Sequence, residues 1–365
     1  MAKNDKYFIS FASIDDISSN FVGKLYKHFN GNIKKAWECN ESNLKELEGL
    51  RRSSGQKFLT SRDKIDPDKV LEYIKENNIK YLTIEDENYP KLLKEIHEPP
   101  LNLFYLGDLN RCNFNRCLAV VGSRNASESS KKVLKNIISE LKQTDLCIVS
   151  GLALGADTQA HKSAIENGLS TISIIGGGFN KLYPQQNKNL FDDIVNKYGV
   201  VFSEAWPDFD PIAWRFPHRN RIVNGLSKGT LVIEAKLKSG AIITANMCLN
   251  EGRELMCLPG DILNPNTEGI YYLLKNGATM VTCAADILDT LNWDLTTQKK
   301  EIKTNNFDLN NYEQKIYEYI SVNSPNFDDI MIKTSLNADE LLLHLTTLEL
   351  KGLIKQVEGS RYMVI

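Results

Sequence analysis

The chain has 365 residues, 42% hydrophobic and 25% charged, with a net charge of -2. That length allows two or three domains with well-buried cores, and the near-neutral balance excludes a protein that is basic throughout. The start, Met1-Ala2-Lys3-Asn4-Asp5-Lys6, is polar and is no secretory signal; with no apolar run near the roughly 18 residues of a membrane span, a cytoplasmic protein without membrane contact is expected.

Residues up to about Asn78 read as helical, because Val22 to Phe29, Asn43 to Leu50 and Pro67 to Asn77 repeat apolar residues at helical spacing. Residues 21–64 hold ten Lys/Arg against five Asp/Glu, a mildly basic face. The stretch Leu47 to Gly55 fits either a helix–turn–helix of the kind that contacts DNA phosphate or, preferably, a plain helical corner. Beyond it, short apolar runs alternate with helical patterns, the signature of a parallel sheet with crossover helices. Strands are expected over Leu118–Gly122, Leu146–Ser150, Thr171–Ile175, Val200–Ser203, Thr230–Glu234 and Glu254–Leu258. Most are nearly continuous in apolar residues, as strands buried on both faces are. Helices are expected over Ser127–Lys142, Asp157–Asn167, Asn187–Lys197, Ala241–Asn250 and Glu268–Lys275. The fold class is therefore α/β, a Rossmann-like doubly wound sheet.

A polar linker follows from Asn292 to Asn310. The last 55 residues give three short helices and a strand pair: Tyr312–Ile320, Phe327–Thr334, Ala338–Leu350, Ile354–Val357 and Tyr362–Ile365. That order suits a winged helix. The expected domains are 1–80, helical; 81–291, the sheet; and 311–365, the winged helix, after a linker over 292–310. Seven cysteines, an odd number with no C-x-x-C pair, disfavour a disulfide framework and a zinc knuckle. Cys147, Cys248 and Cys257 read as small core residues.

The run Trp214-Arg215-Phe216-Pro217-His218-Arg219-Asn220-Arg221-Ile222 concentrates cations and aromatics, and no acid occurs from Pro211 to Ile233. Cations beside aromatic faces suit a phosphate backbone carrying unstacked bases; the plain alternative is a solvated basic turn. Three strands end in small or glycine-rich turns: Val121-Gly122-Ser123-Arg124, Ser150-Gly151-Leu152-Ala153-Leu154-Gly155-Ala156-Asp157 and Gly176-Gly177-Gly178. Ligands bind outside the carboxyl ends of such strands, where glycine lets backbone N–H groups approach an anion. Neither a dinucleotide fingerprint, a Walker A loop nor a nucleophile elbow occurs, so no cofactor and no metal are expected. Asp157 and His161 are four residues apart, on one helix face. They fit a catalytic base with its partner less well than a structural pair that holds the turn together.

These residues resemble the DNA-processing protein A (DprA, also called Smf) family. The matching blocks begin with Tyr89-Pro90, Leu92-Leu93, Ile96, Pro99-Pro100, Leu103-Phe104 and Gly107. They continue through Gly122-Ser123-Arg124, Ser150-Gly151-Leu152-Ala153 with Gly155, Asp157, Ala160 and His161, and Tyr183-Pro184 with Asn187. Further on come Ser203-Glu204, Phe216-Pro217, Arg219-Asn220-Arg221-Ile222, Gly225-Leu226-Ser227, Glu234-Ala235, Ser239-Gly240 with Thr244-Ala245, Gly252-Arg253-Glu254, Pro259-Gly260 and Gly277-Ala278. The resemblance covers about Tyr89 to Ile287, and the flanking helices and winged helix fit longer members. It implies a helical N-terminal domain of SAM or helix–hairpin–helix type. It also implies a single-stranded DNA-binding protein that is not an enzyme. Such a protein protects incoming strands in natural transformation and recombination and helps load the RecA recombinase, generally as a homodimer. By carry-over, Arg124, Arg219, Asn220 and Arg221 line the DNA pocket, with Gly176, Gly177 and Gly178 beneath it and Phe179, Tyr183 and Phe216 available for stacking. Ala156 stands where many relatives carry isoleucine. His218 stands where a cation is common, so pocket charge is expected to fall above about pH 6.5.

The main rival is a phosphoribohydrolase of the lysine-decarboxylase-like family, a nucleotide-processing enzyme with a P-G-G-x-G-T-x-x-E loop. Gly229-Thr230-Leu231-Val232-Ile233-Glu234 has the glycine, threonine and acid, but the acid comes one residue late and P-G-G is absent. Glu234 is expected instead to anchor the basic turn. A structural adaptor working through the winged helix alone would leave the arginine-rich run unexplained. Residues 311–365 carry five Lys/Arg and eight Asp/Glu, and the expected recognition helix Ala338–Leu350 has no Lys or Arg, which suits protein contact better than phosphate.

Overall fold

The computed structural model describes residues 4–294 and 310–364, apart from 16, 48, 49, 51, 324, 335, 352 and 358–360. They form two compact units, Met1–Gln298 and Lys299–Ile365. The expectation for Leu47–Gly55 falls partly on Glu48, Gly49 and Arg51, and most of the expected linker on 295–309; both lie outside the described residues.

The first unit opens with α1 (Asp5–Ala12), α2 (Ser19–His28), α3 (Ile33–Glu38), α4 (Glu41–Lys45), α5 (Arg52–Arg62) and α6 (Pro67–Glu76). Polar side chains cap the starts of four of them: Ser18, Asn32, Asn40 and Asp66 each accept a first-turn backbone N–H, meeting donors that a helix leaves unpaired. Phe8, Phe11, Leu25, Trp37 and Phe58 are buried at their centre, with Phe11 stacked on Phe58 at 5.2 Å.

The sheet follows. Its elements are β1 (Lys80–Thr83), α7 (Lys91–Lys94), β2 (Asn102–Gly107), β3 (Cys117–Val121), α8 (Glu128–Glu140), β4 (Cys147–Ser150), α9 (Ala156–Glu166), β5 (Ser170–Ile175), α10 (Lys188–Asp193, prolonged by a π-helical turn), β6 (Gly199–Ser203), α11 (Arg215–Gly225), β7 (Gly229–Val232), α12 (Gly240–Asn250), β8 (Glu254–Cys257), α13 (Glu268–Lys275), β9 (Thr279–Met280) and α14 (Ala284–Leu291). The spatial order is β1-β2-β6-β5-β4-β3-β7-β8-β9. Strands β6 to β9 along that order are all parallel, and β2 joins β6 and β1 antiparallel. The chain thus winds outward from β3 to β6, returns beside β3, and winds the other way. All six expected strands are present; β1, β2 and β9 are additional.

Side-chain alternation along the strands supplies two cores. Leu118, Val120, Ile148 and Leu231 pack with Leu134 and Ile138 of α8, while Val121, Val149, Ile172 and Val232 pack with Ile222 and Val223 of α11. Cys147, Cys248 and Cys257 are fully buried. The N-terminal helices share the sheet's core: Ile9 and Ile74 pack with Ile79 and Phe104. Polar ties bring α1 and α2 to the carboxyl edge, where Ser19 Oγ donates to Glu204 at 2.5 Å.

The second unit comprises α15 (Asn311–Asn323), α16 (Phe327–Thr334), α17 (Ala338–Leu350) and the antiparallel pair β10 (Ile354–Val357) and β11 (Arg361–Val364). Ile316, Ile330, Leu341, Leu345, Leu348 and Ile354 form its core. This is the expected winged helix. On the outer face of α17, Leu342, Leu343 and Leu350 are exposed.

Candidate nucleic-acid interface

The loop after β4 is built around one carboxylate. Asp157, at the start of α9, accepts the N–H groups of Gly151 at 3.1 Å and Ala153 at 3.3 Å. Gly155 takes φ +77°, and a Cβ there would lie 2.3–2.4 Å from the carbonyl oxygens of Arg124 and Ser123, so glycine alone lets the loops after β3 and β4 meet. Asn187 ties the loop from the other side, its Nδ2 donating to the carbonyl of Leu152 and to Thr158, both at 2.8 Å. Asp157 is buried, and burial raises its pKa, opposed by the charge of Arg219.

The arginine-rich run, expected as a basic turn, is the helix α11, and its own contacts decide what each cation does. Arg219 is buried; its Nη1 donates to the carbonyls of Gly151 at 2.6 Å and of Ile174. A side chain on Gly151 would collide with that guanidinium. Burial lowers the Arg219 pKa to about 10, with Asp157 acting upward and Arg124 downward, so it stays charged at neutral pH. Arg221 is buried too, with Nη2 2.7 Å from both oxygens of Glu204. Asn220 bridges, accepting from Arg219 Nε at 3.0 Å and donating to Thr244 at 2.8 Å. Arg215 pairs with Asp15 at 2.5 Å. His218 faces Glu204, Arg221 and Ser19 across the helix from Phe216. Burial first, then Arg221, lower its pKa against the pull of Glu204.

Arg124 differs from these. It is exposed, makes no ion pair among the described residues, and holds its guanidinium 5.6 Å from the centre of the Phe216 ring. Tyr183, about half exposed, meets the same ring edge-on at 5.7 Å. Arg124, Tyr183, Phe216, Leu154 and Arg219 surround a cavity of about 30 Å³ at the carboxyl ends of β3, β4 and β5. The structure thus brings Arg124, Tyr183, Phe216 and Arg219 together, with Asn220 braced behind them. Phe179 lies elsewhere, half-buried on the apolar clusters that contain Leu182 and Phe104. Gly177 and Gly178 are covered: added Cβ atoms would strike Pro211 and the carbonyls of Trp206 and Pro207, so they admit the loop 206–211 across the strand end. Gly176 makes room for Phe216.

Glu234 anchors a different element from the one expected. Its carboxylate accepts the N–H of Ser127 at 3.2 Å, the Ser127 hydroxyl, and the Ser130 hydroxyl at 2.7 Å. It therefore braces Ser127, the cap of α8, not α11, and sits beside that helix N-terminus at the crevice between β3 and β7 where the winding reverses, the place an anionic cofactor takes in such sheets. Gly229–Val232 is a buried strand and not an open loop, which disfavours the phosphoribohydrolase. Asp157 and His161 do not bond to each other. Asp157 holds the turn, whereas His161 is fully buried with Nδ1 2.7 Å from Thr171, and burial pushes it down to about 3.

Sequence reasoning missed Leu154, exposed beside the cavity, and Lys181, Lys236 and Lys238, exposed on loops after β5 and β7. Their position after strand ends was the available signal.

Comparison with known proteins agrees with this architecture. A family model described as DNA recombination-mediator protein A matches residues 80–292, and one described as the DprA winged helix domain matches 303–360. The chain is 43% identical over 206 residues to a DNA processing protein DprA of Streptococcus pneumoniae, covering 56% of this chain and 72% of that one. It is 38% identical over 223 residues to its namesake in Bacillus subtilis, covering 61% and 75%. The solved structure of DNA processing protein A from S. pneumoniae superposes with a TM-score of 0.68 at 33% identity, over 79% of this chain and 98% of that one. One from Helicobacter pylori, described for its single-stranded DNA binding mode, superposes with a TM-score of 0.52 at 29% identity, over 58% and 96%.

Proposed function

Because the chain belongs to the DNA recombination-mediator protein A family, we propose that it binds single-stranded DNA at the carboxyl edge of its sheet, without catalysing a reaction. One observation carries this reading: the exposed Arg124 held over Phe216 and beside Tyr183, above the buried charge of Arg219. A cation next to open ring faces suits a phosphate with an unstacked base, whereas a duplex hides its base faces. The non-catalytic reading is supported by Glu234, which occupies the helix N-terminus that a cofactor phosphate would use, and by the buried, hydrogen-bonded His161.

The wider role is protection of incoming strands and their delivery to the RecA recombinase in natural transformation and recombination, by a cytoplasmic protein. Family membership supports it, as does the fact that no described helix is long and apolar enough to cross a membrane. A homodimer is supported by Ile262 and Leu263, 78% and 86% exposed, with Tyr272 and Met280 on the same β8–α13–β9 end; monomers rarely leave such patches open. The winged helix serves as a protein-contact module, supported by the exposed leucines of α17 between Asp339, Glu340 and Glu349. A salt titration of binding to single- and double-stranded DNA tests the central reading, and equal affinity for both would overturn it.

A further inference from the structure

We propose that Asp15, in the loop between α1 and α2, is a positioning residue for the single-strand site. It supplies from outside the negative charge that the start of α11 lacks, and so holds Phe216 and Arg219 where a strand meets them. This rests on the single-strand reading above.

The sequence of α11 gives its first turn little support. A helix begins with unpaired N–H groups and the positive end of its dipole, which an acceptor side chain or an acid ordinarily meets. α11 has neither: no side chain of Trp214, the residue before it, takes an N–H, and no acid stands in its first turn. Its first residue, Arg215, even adds a positive charge where one is least favoured. Asp15 answers that charge, its Oδ1 lying 2.5 Å from Arg215 Nη2. The Arg215 guanidinium is buried, donates through Nη1 to the Asp210 carbonyl at 2.5 Å, and lies 4.9 Å from the centre of the Phe209 ring. The next residue is Phe216, which fills the space over Gly176 and meets Arg124 and Tyr183. Arg219 follows one turn later, so a shift of the first turn displaces both.

A second tie acts in the same direction. The loop 206–211, which carries Phe209 and Asp210, is held by Tyr73 of α6: its hydroxyl donates to Asp208 at 2.6 Å, and its ring stacks on Trp206 at 5.1 Å. The N-terminal helices thus fix α11 from two points, while none of their described residues lines the cavity beside Arg124, Tyr183 and Phe216. The sign of the Asp15 charge makes the role separable from plain electrostatics. Its side chain is 57% exposed, and an acid near a polyanion opposes binding, so removing it would by charge alone tighten the complex. Loss of a positioning residue weakens it.

The test uses the full-length protein, fluorescence anisotropy with oligothymidylate at several salt concentrations, and hydrogen exchange along α11. Asp15→Ala is expected to bind roughly fivefold more weakly, the effect of losing a favourable charge at a helix start. The salt slope should stay the same, because no phosphate contact is removed. Amides in the first turn of α11 should exchange faster while those of β4 and β5 stay protected. Asp15→Glu is expected to restore most of the affinity. Asp68→Ala removes an acid from an exposed pair with Lys6 in the same helical region and should change binding by less than about twofold. Unchanged or tighter binding by Asp15→Ala would overturn the proposal, as would weaker binding with α11 exchange unaltered. If the wild type bound no single strand, the single-strand reading itself would fall.

Discussion

Arg219 on α11 donates through Nη1 to the carbonyl oxygen of Gly151 at 2.6 Å, pinning a guanidinium beneath the loop that follows β4. The residue expected from the sequence as a DNA contact is therefore also a strut, lining the cavity while holding the loop. Replacing it by Ala strips two carbonyls of their donor and leaves Asp157 buried without its countercharge. Removing one partner from such a buried arrangement costs about 3–5 kcal/mol. Arg219→Ala is expected to lower the melting temperature sharply in calorimetry; an unchanged melt would overturn its structural role.

Arg124→Ala should behave oppositely. An exposed side chain without an ion pair contributes little to folding, so stability is expected to change by less than about 0.5 kcal/mol. Affinity for single strands should fall for every sequence, and the salt dependence of binding should drop by about one ion. Binding isotherms at several salt concentrations separate this from a purely steric effect, which would leave the slope alone.

Tyr183 is the cleaner of the two stacking rings to remove, because Phe216 also fills the space over Gly176. Tyr183→Ala is expected to weaken single-strand binding by roughly 1–3 kcal/mol and to leave weak duplex binding where it was. Competition between the two DNA forms reads this directly.

Acid should destabilise the first unit through His161. Its folded pKa, about 3, lies below the ordinary 6.5, so below pH 6.5 the unfolded chain takes a proton that the folded one refuses. Stability is then lost as pH falls from 6.5 towards 3, by up to about 1.4 kcal/mol per pH unit from this group. His218 adds in the same direction, its pKa also being lowered. Glu204, held below 4.5 chiefly by Arg221 and His218 against burial, stabilises above that value and gives this up at lower pH. Denaturant titrations from pH 7 to 4 should show the loss, and His161→Leu should shrink it, since Thr171 keeps its bond to the Ile148 carbonyl.

Ending the chain after Asn305 should leave single-strand binding nearly intact. Residues 311–365 carry a balance of -3, and acidic surfaces do not gather phosphate. Loss of DNA binding by a truncated protein that still melts cooperatively would make the winged helix a DNA module.

The parallel strands were legible because Leu118–Val121 is apolar without interruption and Ile172–Ile175 is broken only by Ser173, a pattern that burial on both faces produces. β1 and β2 were not: β1 is a four-residue edge strand whose Lys80 is exposed and Tyr81 half-buried, next to a helical stretch, and β2 shows no alternation along its six residues. α11 was hidden by composition: three arginines and a histidine read as solvent-facing, and nothing local reveals that Glu204, Asp15 and two backbone carbonyls will enclose them. Residue types at the site could be listed from the sequence. Which cation faces outward depended on partners up to 202 positions away, as with Ser19 and Arg221.

The carboxylate of Glu234 at the start of α8 behaves as a resident, covalently tethered occupant of the crevice. Tethering gives it a local concentration on the order of millimolar or more, and unlike a free ligand it does not diffuse off. Mononucleotides in solution would have to displace a competitor that is part of the chain. The crevice at the start of α8 is thereby filled by a group that belongs to the chain itself.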